Sequence, residues 1–191
     1  ELDLTPERGL RVRITGEPVM NFEEIQAVST QSWHVALIAI VLFAGTVSVA
    51  LRSRRMVAAL IGSLLVSLVW SNGIAALLIG DLNTISAAFN VLIVGLGGEF
   101  GIHFAMRYIE LAGAGKGRRD ALIETAESIG GSLVSSAGTT SIGFFIFLLT
   151  DFTGVAQLGV ISGIGMFASL LSTLTVLPAL VAIGAEPRVA V

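Results

Sequence analysis

Five apolar runs, each long enough to cross a bilayer, restrict this chain to few folds; they cover approximately residues 32–51, 56–79, 84–107, 129–150 and 155–183. A helix needs roughly 20 apolar residues to traverse about 30 Å of hydrocarbon. Charged residues make up 13% of the chain and hydrophobic ones 54%, whereas an average soluble domain is about 25% charged. Lipid offers the backbone no hydrogen-bond partners, so such runs must satisfy their own N–H and C=O groups as helices. The expected fold is an all-α membrane protein, a transmembrane helical bundle of five spans over 31–185. With no cysteine, neither a disulfide framework nor a thiolate metal site can form.

Outside the spans, residues 10–15 (Leu-Arg-Val-Arg-Ile-Thr) alternate with the period of a half-buried strand, and Gly16-Glu-Pro-Val supplies turn chemistry. One strand needs partners, so residues 1–30 read as a short α/β remnant of an extramembrane domain. Asn21 and Glu24 have the spacing of an N-cap with a reciprocal carboxylate, opening a helix that leads into the first span. The chain begins Glu1-Leu-Asp-Leu-Thr-Pro, without Met or a signal-peptide pattern, and reads as a piece of something longer.

Basic residues orient the bundle, because short cytoplasmic loops are rich in Lys and Arg. Arg52, Arg54, Arg55, Arg107, Lys116, Arg118, Arg119 and Arg188 all fall on one side; the loops Gly80-Asp-Leu-Asn and Thr150-Asp-Phe-Thr carry no cation. That side is expected in the cytoplasm, with residues 1–30 outside and 186–191 as a cytoplasmic tail. The connection 108–128 contains Gly113, Gly115 and Gly117 before Arg118-Arg-Asp-Ala-Leu-Ile-Glu, which predicts a flexible turn into an amphipathic interfacial helix.

Within the third span stands Glu99, in Ile85-Ser-Ala-Ala-Phe-Asn-Val-Leu-Ile-Val-Gly-Leu-Gly-Gly-Glu-Phe-Gly-Ile-His-Phe-Ala-Met106. A charge at that depth costs at least about 2.5–3.5 kcal/mol and marks an ion path, a proton relay or a substrate contact. Gly95, Glu99 and His103 are successive i, i+4 neighbours with Met106 near the same stripe. Loss of hydration disfavours the charged carboxylate, so Glu99 is the candidate for loading and unloading a proton, with His103 as a second titratable group. The fourth span adds Ser135, Ser136, Thr139, Thr140 and Ser141. Most of these hydroxyls are expected to bond back to their own helix; Thr139 and Thr140 are the candidates for the relay.

Small residues recur at four-residue spacing: Gly97, Gly101 and Ala105; Gly131, Ser135 and Thr139; Gly159 and Gly163. Such stripes let helix backbones approach closely in lipid, so Gly95, Gly97, Gly101, Gly159 and Gly163 are read as packing positions. Pro178 should bend or loosen the end of the last span. Asn72, Asn90, Trp33, Trp70 and His34 read as helix contacts or interfacial anchors. There is no phosphate-cradling loop and no His-Glu-x-x-His, and only two histidines occur. No enzyme activity, metal, cofactor or nucleic-acid partner is expected; a serine protease would need a histidine that no position after 103 supplies.

Gly95-Leu-Gly-Gly-Glu-Phe-Gly-Ile-His-Phe-Ala-Met-Arg-Tyr108 resembles the fourth transmembrane helix of the resistance-nodulation-division (RND) superfamily, in its MmpL-like branch of lipid and hydrophobic-compound exporters. That branch carries Gly-x-x-x-Asp, commonly followed by an aromatic residue; here Gly95-x-x-x-Glu99 precedes Phe100. Val12-Arg-Ile-Thr-Gly-Glu-Pro is similar to the end of the periplasmic porter domain and Leu82-Asn-Thr-Ile-Ser to the start of helix four. Ser136-Ala-Gly-Thr-Thr-Ser-Ile-Gly-Phe-Phe, Gly159-Val-Ile-Ser-Gly-Ile-Gly-Met and Leu177-Pro-Ala-Leu are similar to helices five and six. Phe152-Thr-Gly-Val-Ala-Gln-Leu-Gly is most similar to the first half of hopanoid-associated exporters.

The resemblance implies helices two to six of a six-helix RND half, missing its first helix and its pseudo-repeated second half. It implies export driven by the proton-motive force in the bacterial inner membrane, with protons as the coupling ion and Glu99 as their carrier. Implied partners are membrane lipids, a hydrophobic or lipid substrate, the second half and further copies in a homo-oligomer. Glu99 stands where relatives have Asp, keeping the acid and lengthening its reach; Phe100 stands where many have Tyr, removing a hydroxyl. Two other readings share the fold plan: a lipid sensor like sterol-sensing domains, and a protein-export subunit like SecD/SecF, whose helix-four sequence differs.

Overall fold

The computed structural model describes residues 34, 37–51, 53–80 and 88–183. These form helices α1 (Leu37–Leu51), α2 (Arg54–Leu78), α3 (Phe89–Gly113), α4 (Arg118–Leu149) and α5 (Thr153–Ile183), with no strand among the described residues. Helices α2 to α5 are each long and apolar enough to cross a membrane, and the chain is a multi-pass membrane protein. The strand expected at 10–15, the Asn21 cap, Trp33, Arg52, the Leu82-Asn-Thr-Ile-Ser segment and the tail with Arg188 lie outside the described residues.

Helix α5 is the hub: it packs along α2 on one side and α4 on the other, and touches α3 as well. Its sequence is apolar all round, as a helix buried among others must be, and its buried residues run from Gly154 through Met166 and Ser169 to Val181. The main core joins Val47 and Leu51 of α1 to Met56 and Leu60 of α2, Phe100, Phe104 and Tyr108 of α3, Leu133 of α4, and Met166 and Leu177 of α5. A smaller cluster of Ala75, Phe89, Ile93 and Ile161 closes the other end. Helix α4 is the outermost of the four spans, with 17% of its most apolar window buried against 50% for α3.

Glycines set how closely these helices meet. A Cβ added at Gly159 would lie 2.5 Å from the Phe144 carbonyl oxygen, and one at Gly163 2.4 Å from the Phe145 ring. At Gly97 it would meet Ser169 Oγ at 2.4 Å and at Gly101 Leu60 Cδ2 at 2.5 Å. Gly95 and Gly131 have open space at that position; both therefore sit on outward faces, and Gly95 packs against nothing among the described residues.

Between α3 and α4 the expected turn and the helix opening at Arg118 are both present, but that helix continues unbroken into the fourth span. Helix α3 runs on to Gly113 and α4 starts at Arg118, leaving a tight turn. Gly115 takes φ +86°, the left-handed conformation that a residue without Cβ adopts freely. Its N–H bonds the Ala112 carbonyl at 3.1 Å and the Lys116 N–H bonds the Leu111 carbonyl at 3.3 Å, the paired bonds of a Schellman stop. No proline interrupts 118–145, so the helical ladder continues into the span without a break. Arg118 Nη1 donates to the Ala182 carbonyl at 2.8 Å, placing a cation at the C-terminal end of α5 where the helix dipole favours it. Pro178 lies inside α5, which continues past it to Ile183.

Gly159→Ala should lower the melting temperature of the detergent-solubilised protein, by an overpacking cost of about 1–3 kcal/mol. Gly131→Ala, with free space and better helix propensity, should leave it unchanged or raise it. A thermal melt monitored by circular dichroism distinguishes the two.

Candidate functional site

Helix α3 does not keep one geometry. Phe89–Leu92 is α-helical, Ile93–Gly97 widens into a π turn, and Gly98–Gly113 resumes the α form. Single π turns are rare and recur at functional sites. Here the wide turn ends two residues before Glu99, in the run Gly95-Leu-Gly-Gly98, where Gly97 lets α5 approach and Gly98 lets α1 approach.

Glu99 lies ten residues into α3, roughly 15 Å along its axis at 1.5 Å per residue. Its Oε1 is 3.6 Å from His103 Nε2, and the two side chains are 60% and 61% exposed. They point away from the packed core, on the face of α3 opposite Gly97, Gly101 and Phe104. That face is one wall of a groove of about 450 Å³ between α3 and α4. Glu99, His103, Arg107 and Glu110 line it from α3, and Ser132 and Ser136 line it from α4. Phe100, Met106, Ile129 and Leu133 complete the walls, so the carboxylate opens onto a groove of mixed polar and apolar lining.

The register of the groove follows from one bond. Arg107 Nε donates to Ser128 Oγ at 3.3 Å; stepping eight residues back along α3 and eight forward along antiparallel α4 brings Glu99 level with Ser136. Arg107 also donates to Glu110 at 2.8 Å. From Glu99 to Glu110 the α3 face is therefore a file of ionisable side chains spanning eleven residues, roughly 16 Å. The predicted third span ends at Arg107 and does not reach Glu110; the continuation of α3 to Gly113 puts both on the groove face, opposite Ser132 of α4. Their i+4 and i+7 spacing from His103 was the available signal.

Thr139 and Thr140 are not brought to the carboxylate. They lie one turn beyond Ser136, and neither lines the groove. Thr139 Oγ1 donates back to its own helix, with the Ser135 and Ser136 carbonyls each at 3.0 Å. Ser141 instead crosses to α5, donating to the Gly163 carbonyl at 2.8 Å. Asn72 and Asn90 join α2 to α3, with Asn72 Nδ2 donating to Asn90 Oδ1 at 2.7 Å. Among the described residues no cluster of His, Asp and Glu is arranged to hold a metal ion.

A bundle of apolar helices with one mid-span carboxylate in a partly polar groove defines an integral membrane protein with an ionisable intramembrane site. The MMPL family profile matches residues 2–189. The chain belongs to the MMPL family, within the RND superfamily that its α3 pattern resembles. It is 38% identical to the hopanoid transporter HpnN of Burkholderia multivorans over 97% of its own length and 21% of that protein. It is 33% identical to the hopanoid transporter HpnN of Rhodopseudomonas palustris over 94% of its length and 21% of that protein. The chain thus spans about a fifth of the length of these relatives.

Ser132→Cys and Ser136→Cys, in the isolated chain, should react with a small water-soluble thiol reagent. Ser141→Cys, buried against α5, should react at least tenfold more slowly under the same mass-spectrometric assay.

Proposed function

We propose that this chain is the transmembrane part of one half of an exporter of lipids or other hydrophobic compounds, driven by the proton-motive force in a bacterial inner membrane. The observation that carries this reading is Glu99, held mid-span beside His103 and open to a partly polar groove. Family membership supports the transport class, and the names of the two HpnN relatives point to hopanoid-like lipids as a substrate class. Residues 1–30 are placed on the periplasmic side and the C-terminus in the cytoplasm, following the asymmetry of Lys and Arg.

In this scheme Glu99 takes up a proton from the periplasmic side and becomes neutral. With that charge removed, this part of α3 is free to repack. The second half of the transporter covers the groove, since an ionisable face this polar is not suited to acyl chains. Deprotonation passes the proton along the groove, where Arg107 and Glu110 bring hydrated charge from the cytoplasmic end to within a few turns of Glu99. Substrate moves in the periplasmic domain as α3 shifts against its neighbours. Thr139 and Thr140, one turn to the outer side of Ser136, fit better at the uptake side of this route than beside the carboxylate.

In the full-length protein reconstituted into liposomes, Glu99→Gln should abolish gradient-driven lipid transport while leaving the melting temperature within a few degrees of the parent. Glu99→Asp should keep a substantial part of the activity, because the acid is preserved. Full transport by Glu99→Gln would contradict Glu99 as the carrier, whereas lipid binding that is the only activity and is indifferent to a protonophore would favour the lipid-sensor reading.

A further inference from the structure

On the side of α3 that Glu99 does not face, α2 and α5 meet along a file of hydroxyls. Ser63, Ser67 and Ser71 recur every four residues on α2 and stand in antiparallel register with Ser172, Ser169 and Gly165 of α5. All of these serines are buried. Ser172 Oγ donates to the Ser63 carbonyl at 2.7 Å; a hydroxyl has one hydrogen, so Ser63 must be the donor in the 3.0 Å contact between their oxygens. Ser67 and Ser169 share a single contact of 2.6 Å. One of the two donates to the other, and the second hydrogen has no acceptor among the described residues.

That spare hydrogen adjoins a small cavity of about 10 Å³ between α2, α3 and α5, lined by Ser63, Ser67, Ser169, Thr173 and the α3 backbone from Gly97. A volume of this order is what one water needs, together with two to four polar partners. No carboxylate lines it, so its chemistry suits a neutral ligand rather than a cation. Further along the same helices, the Ser71 and Ser162 hydroxyls are each 1% exposed and have no hydrogen-bond partner. Unpartnered hydroxyls are costly at membrane depth. Ser71 Oγ lies 3.3 Å from where a Cβ of Gly165 would stand and Ile93 Cδ1 only 2.6 Å, so the helices are closely packed there.

We propose that the α2–α5 seam is an internal water-binding site. One water is held by Ser67, Ser169 and Thr173 against the end of the π turn of α3. The site is separate from the Glu99 groove and does not depend on Glu99 carrying a proton. Its effect is to give the small-residue contact between α3 and α5 an exchangeable hydrogen-bond partner, so that α3 can shift without stranding hydroxyls in lipid.

The test is X-ray radiolytic labelling of the full-length protein in lipid nanodiscs, in which radicals formed from bound water oxidise adjacent side chains. Leu60 and Leu64 line the cavity yet are buried; both should be oxidised, while Leu77, which faces outward, should be spared by the surrounding lipid. In S67A/S169A, checked for folding by its melt, labelling of Leu60 and Leu64 should fall at least threefold. Absence of labelling at both leucines in the parent, or unchanged labelling in the double variant, overturns the proposal.

Discussion

A carboxylate halfway along an apolar helix must have polar company, and the architecture around Glu99 follows from that requirement. The core-facing side of α3 is given over to Phe100, Phe104 and Tyr108, which leaves no place for a charge inside the bundle. The carboxylate instead faces the α3–α4 groove, beside His103 and along a wall that Arg107 and two serines also line. Packing and polarity are thereby divided between two faces of one helix.

The division depends on how closely α3 can seat against α2 and α5. Gly97 and Gly101 put backbone against Ser169 and Leu60 where any side chain would collide. The π turn at Ile93–Gly97 changes the angular register of α3 between its N-terminal segment, tied to α2 through Asn72 and Asn90, and its C-terminal segment carrying Glu99. A helix built from two such segments has a natural place to twist. Association in lipid relies on close contact and hydrogen bonds rather than on hydrophobic drive, and the buried serine pairs between α2 and α5 supply the latter.

Much of this was legible in the chain. Hydropathy locates the spans because lipid permits so few alternatives, and the i, i+4 spacing of Glu99 and His103 gives their adjacency, observed at 3.6 Å. Helix ends were less legible: the charged residues of 108–128 resemble a loop, yet a single left-handed Gly115 suffices to turn the chain and both helices run to its edges. The groove needed tertiary register, since nothing local says that Ser128 meets Arg107 or that Thr139 turns back on its own carbonyls. Gly95 shows the limit of stripe reading: its spacing matches that of packing glycines, but it lies on the Glu99 face with open space beside it. The four-residue repeat of Ser63, Ser67 and Ser71 was present throughout, and its meaning emerged only when α5 lay alongside.

Whether Glu99 gains and loses a proton is open to direct observation by infrared difference spectroscopy on the full-length protein in lipid, stepped between acidic and alkaline medium. A proton-carrying Glu99 predicts a carboxylic C=O band that appears on acidification in the parent and is missing from the Glu99→Gln variant. Identical difference spectra for the two proteins would show that this carboxylate does not change protonation state, and would contradict its role as the carrier.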